Sequence, residues 1–366
     1  MIPPPARIGT LIDEVETPAL LIDLDAYERN LDRMAASVAA FPVRLRPHAK
    51  THKCPIIAQH QVARGAVGVC CQTLGEAEAM VLGGVRNILI TNQVVSPGKI
   101  RRLVALVKQA EVMVCVDDVA NVLQLDAAAR SIGVRLPVLV EVDIGQHRCG
   151  VEPGVPTFEL ARQVADRPGL RFAGLHAYHG IAQHVYGLSA RVELMEHALG
   201  ALDETVALLL SRGLVCGLVT GGGTGTYPIE AASGVYTEVQ PGSYIFMDAD
   251  YRRVEGAPAL FESALFVLTT VLSRTGSRAV CDAGLKASSI DSGLPQVKDR
   301  PEIRYVGASD EHGTLEDGSG SVRVGDPLWL IPGHCDPTVN LYDWYVGIRD
   351  DRVEALWPIS ARGANA

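Results

Sequence analysis

The chain has 366 residues, 48% of them hydrophobic and only 5% aromatic, and carries a formal net charge of −9. That charge argues against a nucleic-acid partner, which would call for a basic face. No apolar run of about twenty residues is available to span a membrane.

From residue 44 onward, short β-branched runs alternate with longer amphipathic stretches. Strands are predicted over 43–49, 67–71, 87–92, 112–117, 137–143, 171–178, 215–222 and 237–240, after a segment Thr17–Asp25 that leads into a helix over 26–39. Between most of the strands lie helical patterns over 74–82, 97–109, 118–131, 155–167 and 188–212. Strands that alternate with helices imply parallel βαβ units. Continuous apolar runs such as Val138-Leu139-Val140 suit strands covered on both faces. Eight such strands would close a (β/α)8 barrel, which takes roughly 250 residues. An open doubly wound sheet is the competing topology, and strand count alone does not separate the two.

Near residue 256 the pattern changes to alternating runs at 265–272, 278–281, 327–331 and 344–348, with few helical segments, which predicts a second, β-rich domain. The stretch 307–325, rich in Gly, Asp and Ser, is expected to be loops. The expected division is therefore 1–25 as an N-terminal segment joining the β-rich domain, 26–255 as the barrel, and 256–366 as the C-terminal β domain.

Eight cysteines occur, none in a C-x-x-C pair, and most stand in apolar strand-like runs. There a reduced cysteine behaves as a small hydrophobe, which points to a reducing compartment. The start Met1-Ile2-Pro3-Pro4-Pro5 has no basic segment followed by an apolar signal core, so a soluble cytoplasmic protein is expected.

Barrel enzymes keep their chemistry at the C-terminal ends of strands. The predicted ends here carry His48 and Lys50; Asp143 followed by Gln146-His147-Arg148; Tyr178-His179-Gly180 and then His184; the glycine-rich run 220–226; and Gln240-Pro241-Gly242-Ser243-Tyr244. Gly221, Gly222 and Gly223 allow backbone N–H groups to approach an anion, and Thr224 adds a hydroxyl. The same glycines would equally serve a plain loop that needs positive φ angles. Lys50 stands beside a proline and two histidines at the end of an apolar strand. A partly desolvated lysine is easier to keep neutral, as covalent carbonyl chemistry requires. His334 and Asp336 flank Cys335. Read as a strand, positions i and i+2 share a face, so the two could hold one cation, and imidazole plus carboxylate favours manganese or magnesium over zinc. An ordinary surface pair is the competing reading. His48, His52, His179 and His312 are expected to hydrogen-bond around the site, and Asp310-Glu311-His312 to support the cation from outside.

Taken together, RPHAKTHKC (46–54), VEVDIGQHRCGV (140–151), TGGGTGT (220–226), SGVYTEVQPGSY (233–244) and HCDPTVNLYD (334–343) resemble the fold-type III pyridoxal-phosphate enzymes. The likeness is strongest to the D-threonine aldolase and D-serine dehydratase branch, related to alanine racemase. The resemblance implies that Lys50 carries pyridoxal 5'-phosphate and that Arg148 approaches its phenolic oxygen. It implies that Gly222, Gly223, Thr224, Gly242 and Ser243 contact the phosphate, that Tyr178 lines the site, and that Gln240 faces the pyridine nitrogen. It also implies that His334 and Asp336 hold a divalent metal, manganese before magnesium, and that His184 stands near the substrate hydroxyl. The aldolases of this branch resemble H-x-D at the metal and the dehydratases H-x-C, so Asp336 sides with cleavage of a D-3-hydroxy amino acid to glycine and an aldehyde. Dehydration of D-serine or D-3-hydroxyaspartate is the alternative, and a non-catalytic pyridoxal-phosphate carrier a more distant one. A homodimer is expected on the same ground.

Overall fold

The computed structural model describes residues 3–256 and 260–365. The expected N-terminal and β-rich segments thus include a few positions outside the described residues. The first strand, β1 (Ala19–Asp23), stands apart from the eight that follow: β2 (Arg44–Leu45), β3 (Val69–Cys71), β4 (Asn87–Gln93), β5 (Glu111–Val116), β6 (Leu136–Val142), β7 (Leu170–Ala177), β8 (Val219–Gly221) and β9 (Glu238–Val239). These eight form one parallel sheet in the order β2-β9-β8-β7-β6-β5-β4-β3. Its two ends meet: Val67 N–H donates to Leu45 O (2.9 Å), Cys70 N–H donates to Pro47 O (2.8 Å), and His48 bridges Cys70 in parallel. The sheet is therefore a closed barrel and not an open doubly wound sheet.

Period-two alternation explains its two faces. Val69, Ile88, Val114 and Val138 pack outward with the helices. Their neighbours Cys70, Leu89, Cys115 and Leu139 form the small inner cluster. Three of the helices begin at a side chain that caps them. Thr73, Ser96 and Asp118 accept from the backbone N–H three residues on, at the starts of Leu74–Leu82, Pro97–Leu106 and Val119–Ser131. A helix over Pro55–Ala63 carries no clear apolar periodicity, and the sequence reading passed over it.

The second domain is built from β10 (Leu265–Thr275), β11 (Arg278–Cys281), β12 (Gln296–Val297), β13 (Ile303–Ala308), β14 (Gly313–Asp317), β15 (Pro327–Ile331), β16 (Trp344–Arg349) and β17 (Arg352–Pro358). β1 completes it from the other end of the chain, pairing antiparallel with β10 and parallel with β16. The stretch 307–325, expected to be loops, contains β14 and the end of β13. Gly313, Leu315 and Asp317 point inward and are buried, so alternation overrides the turn-like composition. Among the described residues no helix is long and apolar enough to cross a membrane.

A buried ion pair ties the seam of the barrel together. Arg46 Nε donates to Glu238 Oε1 (2.7 Å), and the same guanidinium donates to Asn87 Oδ1 (2.6 Å), linking the neighbourhoods of β2, β9 and β4. Both charged side chains are almost fully buried. Removing one partner strands the other in the interior. Glu238→Ala should therefore lower unfolding stability by about 3–5 kcal/mol in denaturant titration, whereas Glu238→Ala combined with Arg46→Met should recover much of that loss. Equal losses in the two variants would contradict this account.

Candidate active site

The polar strand ends converge on one rim. His48, Lys50, Arg148, Tyr178, Gly222, Gly223, Thr224, Gln240, Gly242 and Ser243 all line a single cavity, joined by Gln72, Thr91, His176 and Tyr251. Lys50 sits in a single 3-10 turn, Ala49–Thr51, at the end of β2. His48 caps that turn, its Nδ1 accepting from Lys50 N–H (3.3 Å), while its Nε2 pairs with Thr91 Oγ1 (2.9 Å). The Arg148 guanidinium lies over the Tyr178 ring, 5.6 Å from its centroid.

The loops after β8 and β9, the last two strands of the barrel, supply the glycines, where barrels often hold phosphate. Gly222 has φ +78, and a side chain on Gly221 would meet Ala177 O at 1.8 Å, so neither position tolerates a Cβ. Tyr244 N–H donates to Thr224 Oγ1 (3.0 Å), which clips the two loops together. This glycine-lined cradle, with a lysine amine at the other side of the same cavity, fits a phosphorylated aldehyde cofactor. Beneath the cradle lies Glu230, whose carboxyl burial pushes up to about 7 against a hydrogen bond from Thr226. A neutral carboxyl there avoids setting negative charge against a bound phosphate.

Asp336, from the second domain, forms an ion pair with Lys50 Nζ, and Lys50 lines this cavity. The motif around it is not a strand as expected. His334 is the N-cap of a short helix, Cys335–Val339, because Pro337 suits a first helical turn and the Asp248 carboxylate accepts from Cys335 N–H (2.9 Å). Cys335 still points into the core, so His334 and Asp336 flank it. His334 Nδ1 pairs with Asp291 Oδ2 (2.8 Å), which directs its other nitrogen elsewhere, and Asp336 Oδ1 is buried with no hydrogen-bond partner among the described residues. An orphaned carboxylate oxygen and a histidine fixed by a carboxylate suit a hard divalent cation. The outer support expected from Asp310-Glu311-His312 is absent: Asp310 and Glu311 pair with Lys286 at the surface.

The Lys50 amine also departs from expectation. Burial favours its neutral form, but the Asp336 carboxylate outweighs burial and raises its pKa to about 12. Burial likewise opposes the Asp336 charge, and Lys50 and His334 together hold that carboxyl down at about 2. His184 stands at the rim, half exposed, its Nδ1 paired with Asp250 Oδ2 (2.7 Å) and its ring beside Tyr251. His52 and His179 are buried, and His312 is exposed.

The sequence reading missed His176, Gln72, Thr91 and Tyr251. His176 was within reach of alternation, standing between outward-facing Leu175 and Ala177 on β7. Together with Cys115 and Glu141 it forms the group that, among the described residues, could share one ion, with donor atoms within 4.8 Å of one another. The state of the thiol and the partners of the other two groups weigh against an ion here. Glu141 accepts from Gln93 (2.5 Å) and faces His176, His176 faces Gln240 (3.3 Å), and burial pushes the Cys115 thiol well up, away from the thiolate that binds metals.

The profile of the alanine racemase N-terminal domain matches residues 22–250, and that of a putative serine dehydratase domain matches 264–348. The chain belongs to the alanine racemase-type family. It is 47% identical to a 3-hydroxy-D-aspartate aldolase of Paracoccus denitrificans (strain Pd 1222), over 98% of this chain and 95% of the relative. It is 45% identical to a D-threonine aldolase of an Arthrobacter species, over 99% and 97%. The crystal structure of D-threonine aldolase from Filomicrobium marinum superposes with a TM-score of 0.98 at 47% identity, covering 99% of this chain and all of that one. The family implies pyridoxal phosphate, which the cradle and Lys50 fit.

Two outcomes test these electrostatics. The unfolded chain loses the Glu230 proton near pH 4.3 and the folded chain near 7, so between those values stability falls as pH rises. Glu230→Gln should match the parent at pH 4 and exceed it by up to about 3 kcal/mol at pH 8, read by thermal unfolding of the cofactor-free protein; a constant difference across pH contradicts the assignment. Asp336→Asn removes what keeps Lys50 charged. Its amine should react faster than the parent's with an amine-directed reagent at pH 8, and an unchanged rate would show that burial, not Asp336, governs it.

Proposed function

We propose that this chain is a lyase dependent on pyridoxal phosphate and a divalent cation, cleaving D-threonine and other D-3-hydroxy amino acids to glycine and an aldehyde. The observation that supports this most is the contact between Lys50 Nζ and the Asp336 carboxylate. It puts the oxygen ligand for a cation against the amine that would carry the cofactor. A dehydratase of this branch would be expected to have cysteine at position 336.

In this reading Lys50 holds the cofactor, and the N–H groups of Gly222, Gly223, Gly242 and Ser243, with the Thr224 hydroxyl, receive its phosphate. Arg148 and Tyr178 flank it, and Gln240 meets its ring nitrogen. When bound, pyridoxal phosphate supplies an electron sink for the pair released at Cα. His334 and Asp336 hold the cation, manganese before magnesium, which contributes Lewis acidity toward the substrate hydroxyl. His184, held at Nδ1 by Asp250, would take the hydroxyl proton as the Cα–Cβ bond breaks. The division into 1–25, 26–255 and 256–366 and the homodimer belong to the same proposal.

The test is product analysis on D-threonine, D-3-hydroxyaspartate and D-3-phenylserine, with and without manganese. Glycine and the matching aldehyde are expected, with activity lost on chelation and regained with manganese. A 2-oxo acid and ammonia in place of glycine would overturn the aldolase reading in favour of dehydration. Asp336→Ala should cut kcat about 100-fold or more, since even the outer partners of a metal are worth about 10–100-fold. His184→Ala should cut it by about 100- to 10,000-fold. In both variants the absorbance of bound cofactor should persist.

A further inference from the structure

Inside the barrel, the inward-facing residues of β7, β8 and β9 form a hydrogen-bonded line. Thr220 Oγ1 lies 3.0 Å from Glu238 Oε1, Gln240 lies 2.8 Å from Thr220 Oγ1, and His176 Nε2 lies 3.3 Å from the other end of the Gln240 amide. All four side chains are almost fully buried. The carboxamide of Gln240 could in principle face Thr220 with either its oxygen or its nitrogen, and the consequences for the cavity are opposite. The nitrogen end carries two N–H groups, so one remains for the cavity after Thr220 is served. The oxygen end would offer the cavity only an acceptor.

We infer that Glu238 and Thr220 are positioning residues that lock the Gln240 amide with its N–H toward the cavity, so that a bound cofactor's ring nitrogen accepts a hydrogen bond and stays unprotonated. This rests on the reading of Gln240 as the residue facing that nitrogen. The direction of the line follows from its lower end. Glu238 is paired with Arg46, which is always charged, so its carboxylate can only accept. Thr220 must spend its single O–H on Glu238 and can then only accept from above. Gln240 must therefore turn its nitrogen toward Thr220 and its oxygen toward His176, which must carry a proton on Nε2. Each partner has one allowed role, and the order of roles is set by an ion pair two side chains below the cavity. The inverted amide would place an oxygen against the Thr220 lone pairs, leaving two buried acceptors face to face.

The consequence is chemical. A pyridine nitrogen that only accepts makes the ring a weaker electron sink than a pyridinium. That suits a reaction whose electron pair has to be held briefly and returned to Cα.

The test is nitrogen NMR of holoenzyme loaded with pyridoxal phosphate isotopically labelled at the ring nitrogen. The parent protein should show the unprotonated signal. Thr220→Val, of equal shape, removes the acceptor that holds the amide nitrogen, and the signal should move toward the protonated end. Thr220→Ser restores the hydroxyl and should return it to the parent position, which a merely structural role for Thr220 would not require. If Thr220→Val fails to take up cofactor, Thr220→Ala carries the same comparison. Gln240→Glu separates the two levels of the argument, because a carboxylate facing the ring must protonate it. No shift in Gln240→Glu means that Gln240 does not face the ring nitrogen, and the underlying reading fails. A shift in Gln240→Glu with none in the Thr220 variants overturns the lock alone, as does a protonated signal in the parent.

Discussion

The turn that carries Lys50 is held from the far end of the chain. Tyr345 donates its hydroxyl to His52 O (2.7 Å), Ala361 N–H donates to Lys53 O (3.0 Å), and Asp336 pairs with the Lys50 amine itself. From the barrel side, His48 caps the turn and Lys53 Nζ is anchored on Glu76 (2.5 Å). A lysine on a three-residue turn is otherwise a flexible group. Here its backbone has partners on both sides, and its charge has a single partner on the second domain. A site needs this kind of support to hold a reactive atom in place. The dependence runs in both directions, since without β1 from the N-terminus the sheet that delivers Tyr345 and Asp336 would lose its central strand.

The barrel separates two kinds of work along its axis. At the rim, glycines bring backbone N–H groups close enough to receive a phosphate. Below the rim, Glu141, His176, Thr220 and Glu238 on β6 to β9, and Gln240 just after β9, turn polar side chains inward. Barrel interiors are more commonly filled with branched apolar side chains, and a buried polar layer is costly unless every member is paired. Here hydrogen bonds run from Arg46 and Glu238 through Thr220 and Gln240 to His176, and Gln93 pairs with Glu141. That line gives the floor of the cavity a defined arrangement of donors and acceptors. A floor of leucines would fill the same space without orienting anything.

The charge state of Lys50 depends on what shares the cavity with it. Burial alone would favour a neutral amine, and the sequence context suggested as much. Asp336, which lies 286 positions away in the chain, reverses the sign of the effect. The same carboxylate keeps its other oxygen buried without a hydrogen-bond partner among the described residues.

Most of the barrel was legible in the sequence, because its strands announce themselves by apolar runs and helices such as Leu74–Leu82, Pro97–Leu106 and Val119–Ser131 begin at a capping side chain. All eight barrel strands fall at their predicted places, and so do the glycines and Lys50 at the strand ends, since local chemistry places them there. Several features were not legible, the helix over Pro55–Ala63 among them. The helix at Cys335–Val339 looked like a strand because its start is set by Asp248, a distant carboxylate that accepts from Cys335 N–H. The strand Gly313–Asp317 looked like a loop because its composition is turn-like, and only pairing with β11 and β13 extends it. Alternation between Leu175 and Ala177 gives the direction of His176, but which partners it meets is set only when the barrel closes. What the sequence determined by itself was which groups stand at the strand ends. Tertiary structure alone decided which of them share a cavity, which carry charge and which way each donor points, because those depend on partners brought together by closing the barrel and packing the second domain against its rim.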